Sequence, residues 1–382
     1  MSRISLPGFI LLLCLLWTQT GLADDVLVYE GTDGVGKGKH IVFIANDHEY
    51  RSEQTCPLIA KLLAKHHGFK CTVLFGLDRD GHIKAGAADL PGMEALEDAD
   101  LLVFFTRFMK LKDEQADLLV DYFERGGPVV GLRTSTHCFN GQSGKWAKLN
   151  FNYEKDDYRG GLGEQVFGNT WHKERGQSHY GSNHKMSCTI TPAKGVEHAI
   201  LTGVGPIHAY SGAYRSQPPA DATPLLQVQV LNTFQPSEEA NQEKPIVNAG
   251  WTREQYVAPS GKTKNARVVY TSLGASEDLL DQDARRLLTN ACFWAIGLES
   301  KIANDLEVSI VGKYHPTFYT NGVYVGGVKP QDLAGWDSEI MPISSPIVGI
   351  NDKRFLRRSE LIFSGRPDMK KRLMKQQPDL FK

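Results

Sequence analysis

The sequence predicts an α/β fold: a doubly wound, mostly parallel sheet with helices on both faces, followed by an irregular C-terminal extension. Three observations predict it. Short, wholly apolar runs recur along the chain, the pattern of strands covered on both sides. Stretches with apolar residues at helical spacing separate them, and strand-helix alternation of this kind implies right-handed crossovers within one parallel sheet. After Glu299 the alternation stops and Pro and Gly scatter through residues 300–382.

The elements follow in order. Residues 24–38, with Gly31, Gly34, Gly36 and Gly38, read as a flexible lead-in. Ile41-Val42-Phe43-Ile44 is the first buried strand. Leu58, Ile59, Leu62 and Leu63 mark one face of a helix that Gly68 ends. Cys71–Phe75 and Leu101–Phe105 are the next two strands. Ala116, Leu119, Val120 and Phe123 form a second helix face, stopped by Gly126-Gly127, and Pro128–Leu132 is a fourth strand. Residues 140–265 are looser and rich in Gly, His, Tyr and Asn, with strands at Cys188–Thr191, Leu225–Val230 and Ile246–Ala249. Arg267–Ser272 returns to the core pattern. Ala284, Leu287, Leu288, Ala291, Ala295 and Leu298 outline a long amphipathic helix.

Hydrophobic residues make up 41% and charged residues 23% of the 382, the range of an ordinary globular chain. A formal net charge of −1 gives no basic surplus for a nucleic acid, so that partner class is set aside. The N-terminus carries Arg3, an apolar run from Gly8 to Trp17, and Gly21-Leu22-Ala23 ahead of Asp24. That is the pattern of a cleaved secretory signal over residues 1–23. The run is short for a membrane span, although an uncleaved N-terminal anchor is the alternative. The expected location is therefore secreted or periplasmic, with no stable membrane span once the signal is removed. The five cysteines beyond the signal are Cys56, Cys71, Cys138, Cys188 and Cys292. They are widely spaced and lack Cys-x-x-Cys, so neither a disulfide scaffold nor a zinc ribbon is indicated. A Cys56–Cys71 bridge is one weakly supported pairing.

In open parallel sheets, ligands bind outside the carboxyl ends of the strands. Four separate segments bring polar groups there: Asp47-His48-Glu49-Tyr50-Arg51, Thr106-Arg107, Arg133-Thr134-Ser135-Thr136-His137 and Gly274-Ala275-Ser276. His48 beside Glu49 can supply a base with its orienting carboxylate, or two ligands to a divalent metal. Local salt links involving Glu49 and Arg51 are the plainer account. Arg107 and Arg133 can clamp an anion or substrate hydroxyls, or serve as structural partners of Glu49 or Asp47. A second polar cluster holds Trp171, His172, His179 and His184. Its spacing is a weak metal signal, and solvated loop histidines are the better account of His179 and His184. Trp146, Trp171, Tyr210, Tyr214 and Trp251 can each stack on a sugar ring or simply pack.

The segments HEYRSEQTCPLIAKLLAKHHGFKCTVLFG, GGPVVGLRTSTHCF, GEQVFGNTWH and ARVVYTSLGASEDLLDQDARRLLTNACFWAIGLE resemble the trehalose-utilisation (ThuA-like) family, in the same order over roughly residues 38–299. The resemblance implies a flavodoxin-like fold of the class I glutamine amidotransferase kind over residues 39–299. It also implies a small-molecule carbohydrate, a sugar or keto-sugar derivative, as the ligand. His48, Glu49 and Arg51 match the family's first-strand turn, His172 its middle-loop histidine and Gly274 its late-strand glycine. The amidotransferase nucleophile position falls on Arg133, so a glutaminase thiol is absent. Many relatives carry histidine at that position and again after the late glycine, where this chain has Arg133 and Ala275. The resulting candidates are His48, Glu49 and His172 for catalysis, and Arg51, Arg107, Arg133, Ser135, His137, Trp171 and Gly274 for substrate. A non-catalytic sugar-binding protein and a metal-dependent hydrolase built on His48, Glu49 and His172 stay open as alternatives, as does homo-oligomerisation. The C-terminal extension, with Tyr314, Phe318, Tyr319 and Trp336, is expected to pack on the domain and to line or cover the crevice.

Overall fold

The computed structural model describes residues 25–172, 177–180, 186–236, 239–342, 344–349 and 363–376. The signal segment and His184 lie outside them. The strands are β1 (Leu27–Glu30), β2 (His40–Asn46), β3 (Lys70–Phe75), β4 (Leu101–Thr106), β5 (Val129–Leu132), β6 (Ser178–Tyr180), β7 (Cys188–Pro192), β8 (Ile207–Ala209), β9 (Ala213–Arg215), β10 (Thr223–Val230), β11 (Val247–Val257), β12 (Thr263–Thr271), β13 (Tyr324–Val325) and β14 (Ile347–Val348). The helices are α1 (Ser52–His67), α2 (Asp113–Glu124), α3 (Gln282–Ala295) and α4 (Pro367–Gln376).

Ten strands form one sheet in the order β1-β3-β2-β4-β5-β12-β11-β10-β7-β8. The run β3-β2-β4-β5-β12 is parallel throughout. Numbered among themselves in chain order, these five lie 2-1-3-4-5, the flavodoxin-like order, so the winding reverses between β2 and β4. Beyond β12, the strands β11, β10, β7 and β8 continue the sheet antiparallel. The looser section of the sequence is this extension. Its strands have one less-covered face, so their apolar residues alternate rather than run, as in β10.

Alternation along β2 separates the two cores. Ile41, Phe43 and Ala45 join Ile59 and Leu63 of α1 and Leu287, Leu288 and Ala291 of α3 on one face. Val42 and Ile44 join Leu119, Val120 and Phe123 of α2 on the other. Gly68 ends α1 at φ 79°, its N–H reaching the Ala64 and Leu63 carbonyls; a side chain is disfavoured in that conformation.

Two expectations change. The lead-in is not merely flexible: Leu27–Glu30 pairs antiparallel with β3, and Leu27 and Tyr29 are buried. Its glycines hid the short alternating strand. The Cys56–Cys71 pairing does not form, because all five described cysteines are free and buried.

Among the described residues the C-terminal extension carries β13, β14, α4 and single helical turns at Glu299–Lys301 and Pro330–Leu333, and it is tied to the domain at several points. The Tyr29 hydroxyl donates to the Leu333 carbonyl (2.7 Å), Lys61 Nζ to the Ser338 carbonyl (2.8 Å), and the Ser276 hydroxyl to the Thr317 carbonyl (2.7 Å). Arg366, just before α4, pairs with the buried Glu277 (3.0 Å).

Candidate functional site

The turn after β2 is organised by Asp47. Its buried carboxylate accepts the backbone N–H of Glu49 (2.7 Å) and of Tyr50 through one oxygen, and the Thr134 hydroxyl from the turn after β5 through the other. A short acidic side chain that bonds its own following backbone is a turn former. Here it delivers Arg51, in a left-handed conformation (φ 67°), to the N-cap of α1. Phe108 (φ 50°) after β4 and Arg133 (φ 42°) after β5 share that conformation. Three of the four non-glycine residues with positive φ among those described thus follow carboxyl ends of parallel strands. Such backbone costs about 1–3 kcal/mol per residue and persists where surrounding structure holds it, as at ligand sites.

Across the winding reversal, His48 from β2 meets Arg107 from β4. Arg107 Nη1 lies 2.7 Å from His48 Nε2 and 3.2 Å from Asn321 Oδ1, and its Nε lies 3.1 Å from Glu49 Oε2. A guanidinium only donates, so His48 Nε2 accepts and Nδ1 carries the proton. Burial pushes the His48 pKa down to about 4; Asp47 opposes this, and Arg107 and Arg51 reinforce it. His48 is therefore a neutral hydrogen-bond donor in this arrangement, not a free base.

That depression has a measurable consequence. Below pH 6.5 the unfolded chain protonates this histidine while the folded chain does not until pH 4, so stability falls as pH falls through that window. The expected loss from His48 is about 3 kcal/mol at most. His137, whose pKa burial also lowers, acts in the same direction. Glu53 and Asp278, whose carboxyl pKa values burial raises, act oppositely. Denaturant unfolding of wild type and His48→Asn between pH 7 and 4 isolates the term, and the variant is expected to show the flatter profile.

The arginines divide. Arg133 is fully buried and committed to the protein. Its Nη1 donates to the Ser211 hydroxyl (2.8 Å), the Gly212 carbonyl (3.1 Å) and the Ser272 carbonyl (2.5 Å), and the guanidinium lies over the rings of Tyr50 (3.9 Å) and Tyr214 (4.9 Å). It pins the turn after β5, and those donors are not presented to a ligand. Arg51 borders open space instead. With His48, Lys84, Ala85, Gly86, Gly322 and Tyr324 it lines a solvent-open cleft of about 270 Å³. Asn46, the last residue of β2, fixes the Lys84–Ala87 loop beside His48 by accepting from Gly86 N (2.5 Å) and donating to the Ala87 carbonyl (3.0 Å).

The remaining candidates scatter. The buried Ser135 hydroxyl donates to the Leu132 carbonyl (2.9 Å). His137 is buried against Phe108 and Trp171, with centroids 5.4 and 5.0 Å away. Trp171 and His172 are half-buried, and the exposed His179 meets the Trp171 ring edge-on at 4.9 Å. Gly274 (φ 137°) is a packing junction: an added Cβ would lie 3.2 Å from Leu132 Cβ, and its carbonyl accepts the Thr55 hydroxyl. Tyr214 and Trp251 are core residues, and Trp146 donates to Asp117 of α2. His48, Glu49 and His172 do not bring three ligand atoms within 4.8 Å of one another, so the metal-hydrolase arrangement lacks its geometry. Among the described residues Asp78, Asp80 and His82 do, on an exposed turn that Asp78 forms by accepting from the Asp80 and His82 backbone.

Lys84, Gly86, Asn321, Gly322 and Tyr324 escaped the sequence reading. They sit in a loop and a tail without periodicity, and only the aromatic run around Tyr319 hinted at that wall.

Residues 40–295 match the ThuA family, described as trehalose utilisation. Among solved structures the chain is similar to a ThuA-like protein from Parabacteroides merdae, at 15% identity and TM-score 0.40, covering 74% of this chain and 95% of that one. It is also similar to a glutamine amidotransferase from Thermotoga maritima, at 12% identity and TM-score 0.32, covering 68% and 98%. No curated protein matches the sequence. With the family matched over the greater part of its length, the chain belongs to the ThuA, or trehalose-utilisation, family.

Proposed function

We propose that this chain is an exported ThuA protein that holds a sugar or oxidised sugar derivative in the crevice at the winding reversal. The observation that carries the reading is the His48–Arg107 pair, which spans β2 and β4 at the edge of the cleft. A doubly wound sheet offers its ligand crevice at that reversal. Family membership supports a carbohydrate there. The geometry favours binding over amidotransferase-like turnover, because the nucleophile position holds the committed Arg133. Export rests on the signal pattern of residues 1–23.

The test uses the chain recovered from the exported fraction, with its N-terminus mapped by mass spectrometry and expected at Asp24. Melting temperatures are measured against trehalose, keto-sugars and acidic sugars. At least one is expected to raise the melting temperature, and Tyr324→Ala, a half-buried wall residue, is expected to weaken that rise. No shift from any member of the panel, or an undiminished shift in Tyr324→Ala, overturns the reading.

A further inference from the structure

We infer that the cleft takes an anionic ligand, a carboxylate or phosphate group carried on a sugar, with Arg51, His48 Nδ1 and Lys84 as its receptors. The inference rests on the crevice reading above and names its ligand class.

The first observation is the lining. Arg51 and Lys84 are its charged members, and among the described residues no acidic side chain lines the cleft. The carboxylates nearby are turned to other work. Asp47 is bonded by the Glu49 and Tyr50 backbone and by Thr134, and Glu49 lies against Arg107.

The second observation is donors without acceptors. Arg51 is 1% exposed, yet its Nε and Nη1 have no hydrogen-bond partner; Nη2 alone is engaged, by the His48 carbonyl (2.7 Å) and the Thr320 carbonyl (3.3 Å). His48 Nδ1, protonated because Arg107 occupies Nε2, is likewise buried and unbonded. Leaving buried donors unpaired is costly, more so for charged groups, and an oxyanion supplies the missing acceptors. Glu53 is ion-paired with Arg51, its Oε1 3.5 Å from Nη1 and equally buried, a contact beyond good hydrogen-bond distance that leaves Nε and Nη1 without a hydrogen-bond acceptor.

The third is position. Arg51 is the N-cap of the sixteen-residue α1, where the helix dipole also favours negative charge. A cavity volume of about 270 Å³ with the Tyr324 ring on one wall is room for a monosaccharide, more than a bare anion fills.

Calorimetric titration of the full mature chain with glucuronate, glucose 6-phosphate, glucose and inorganic phosphate tests this. At least one acidic sugar is expected to bind about tenfold or more tightly than glucose, and more weakly as salt is raised. Arg51→Gln is expected to abolish that preference. Because Arg51 is buried and its replacement can unfold the chain, the exposed Lys84→Glu serves as the second variant and is expected to weaken acidic-sugar binding about tenfold. Glucose binding as tightly as both acidic sugars overturns the anion while leaving the sugar crevice intact. Inorganic phosphate binding as tightly as glucose 6-phosphate upholds the anion site and removes the sugar. No binding by any of the four, or unchanged acidic-sugar affinity in Lys84→Glu, overturns the inference.

Discussion

A fragment ending at Glu299 is expected not to fold, although it contains the whole of the family-matched region. The extension buries Val308, Phe318, Val323, Val328, Leu333, Ile340 and Met341 against the domain. At about 1.5–3 kcal/mol per fully buried apolar side chain, their loss is on the order of 10 kcal/mol. That equals most of the 5–15 kcal/mol that holds a typical native protein together. Polar ties go with them: the Thr317 hydroxyl that accepts from Gln54 (2.8 Å) and the Thr317 backbone N–H that Gln54 accepts, the Thr320 carbonyl under Arg51, and Asn321 beside Arg107. Tyr50, stacked on Tyr319 at 5.3 Å, becomes exposed. Circular dichroism and urea unfolding of residues 24–299 are expected to show no cooperative transition. A soluble fragment with wild-type unfolding behaviour would mean that the extension is ornamental and that the cleft wall from Asn321 to Tyr324 is incidental.

Arg133→Ala is expected to destabilise the chain by about 3–5 kcal/mol, among the larger losses for one substitution. Removing the guanidinium strips a donor from the Ser272, Gly212 and Ser211 carbonyls and from the Ser211 hydroxyl. It also removes the cation that opposes the buried Asp278 carboxylate, and empties the space between Tyr50 and Tyr214. Alanine inherits the strain of φ 42°, whereas glycine does not, so Arg133→Gly is expected to be about 1 kcal/mol less damaging than Arg133→Ala. Urea unfolding of the two variants beside wild type reads both numbers. A loss below about 1 kcal/mol in Arg133→Ala would show that the guanidinium is not structural and would return Arg133 to the ligand-binding residues.

Arg51, Arg107 and Arg133 looked alike in sequence: each follows a predicted strand and each is a candidate for binding substrate. The folded chain gives them different roles. Arg133 meets carbonyls from residues 211, 212 and 272, and Arg107 meets His48 and Asn321, while Arg51, ion-paired with Glu53, keeps two nitrogens without a hydrogen-bond partner at a cleft. Their partners come from segments far away in sequence, and no local spacing encodes them. The same holds for the aromatic residues. Composition could not separate the buried Trp251 from the half-buried Trp171.

What the sequence by itself determined is the local grammar: the strand-helix alternation, the helix stop at Gly68, the polar turn after β2 and the five strands that become the parallel core. Side-chain periodicity and backbone preferences act over a few residues, so a few residues reveal them. Only the tertiary structure decided that the winding reverses between His48 and Arg107, that the Gly-rich lead-in is an edge strand, and that Gly322 and Tyr324 form one wall of the cleft. Those outcomes depend on which distant surfaces bury one another, and on which buried donors find an acceptor when they meet.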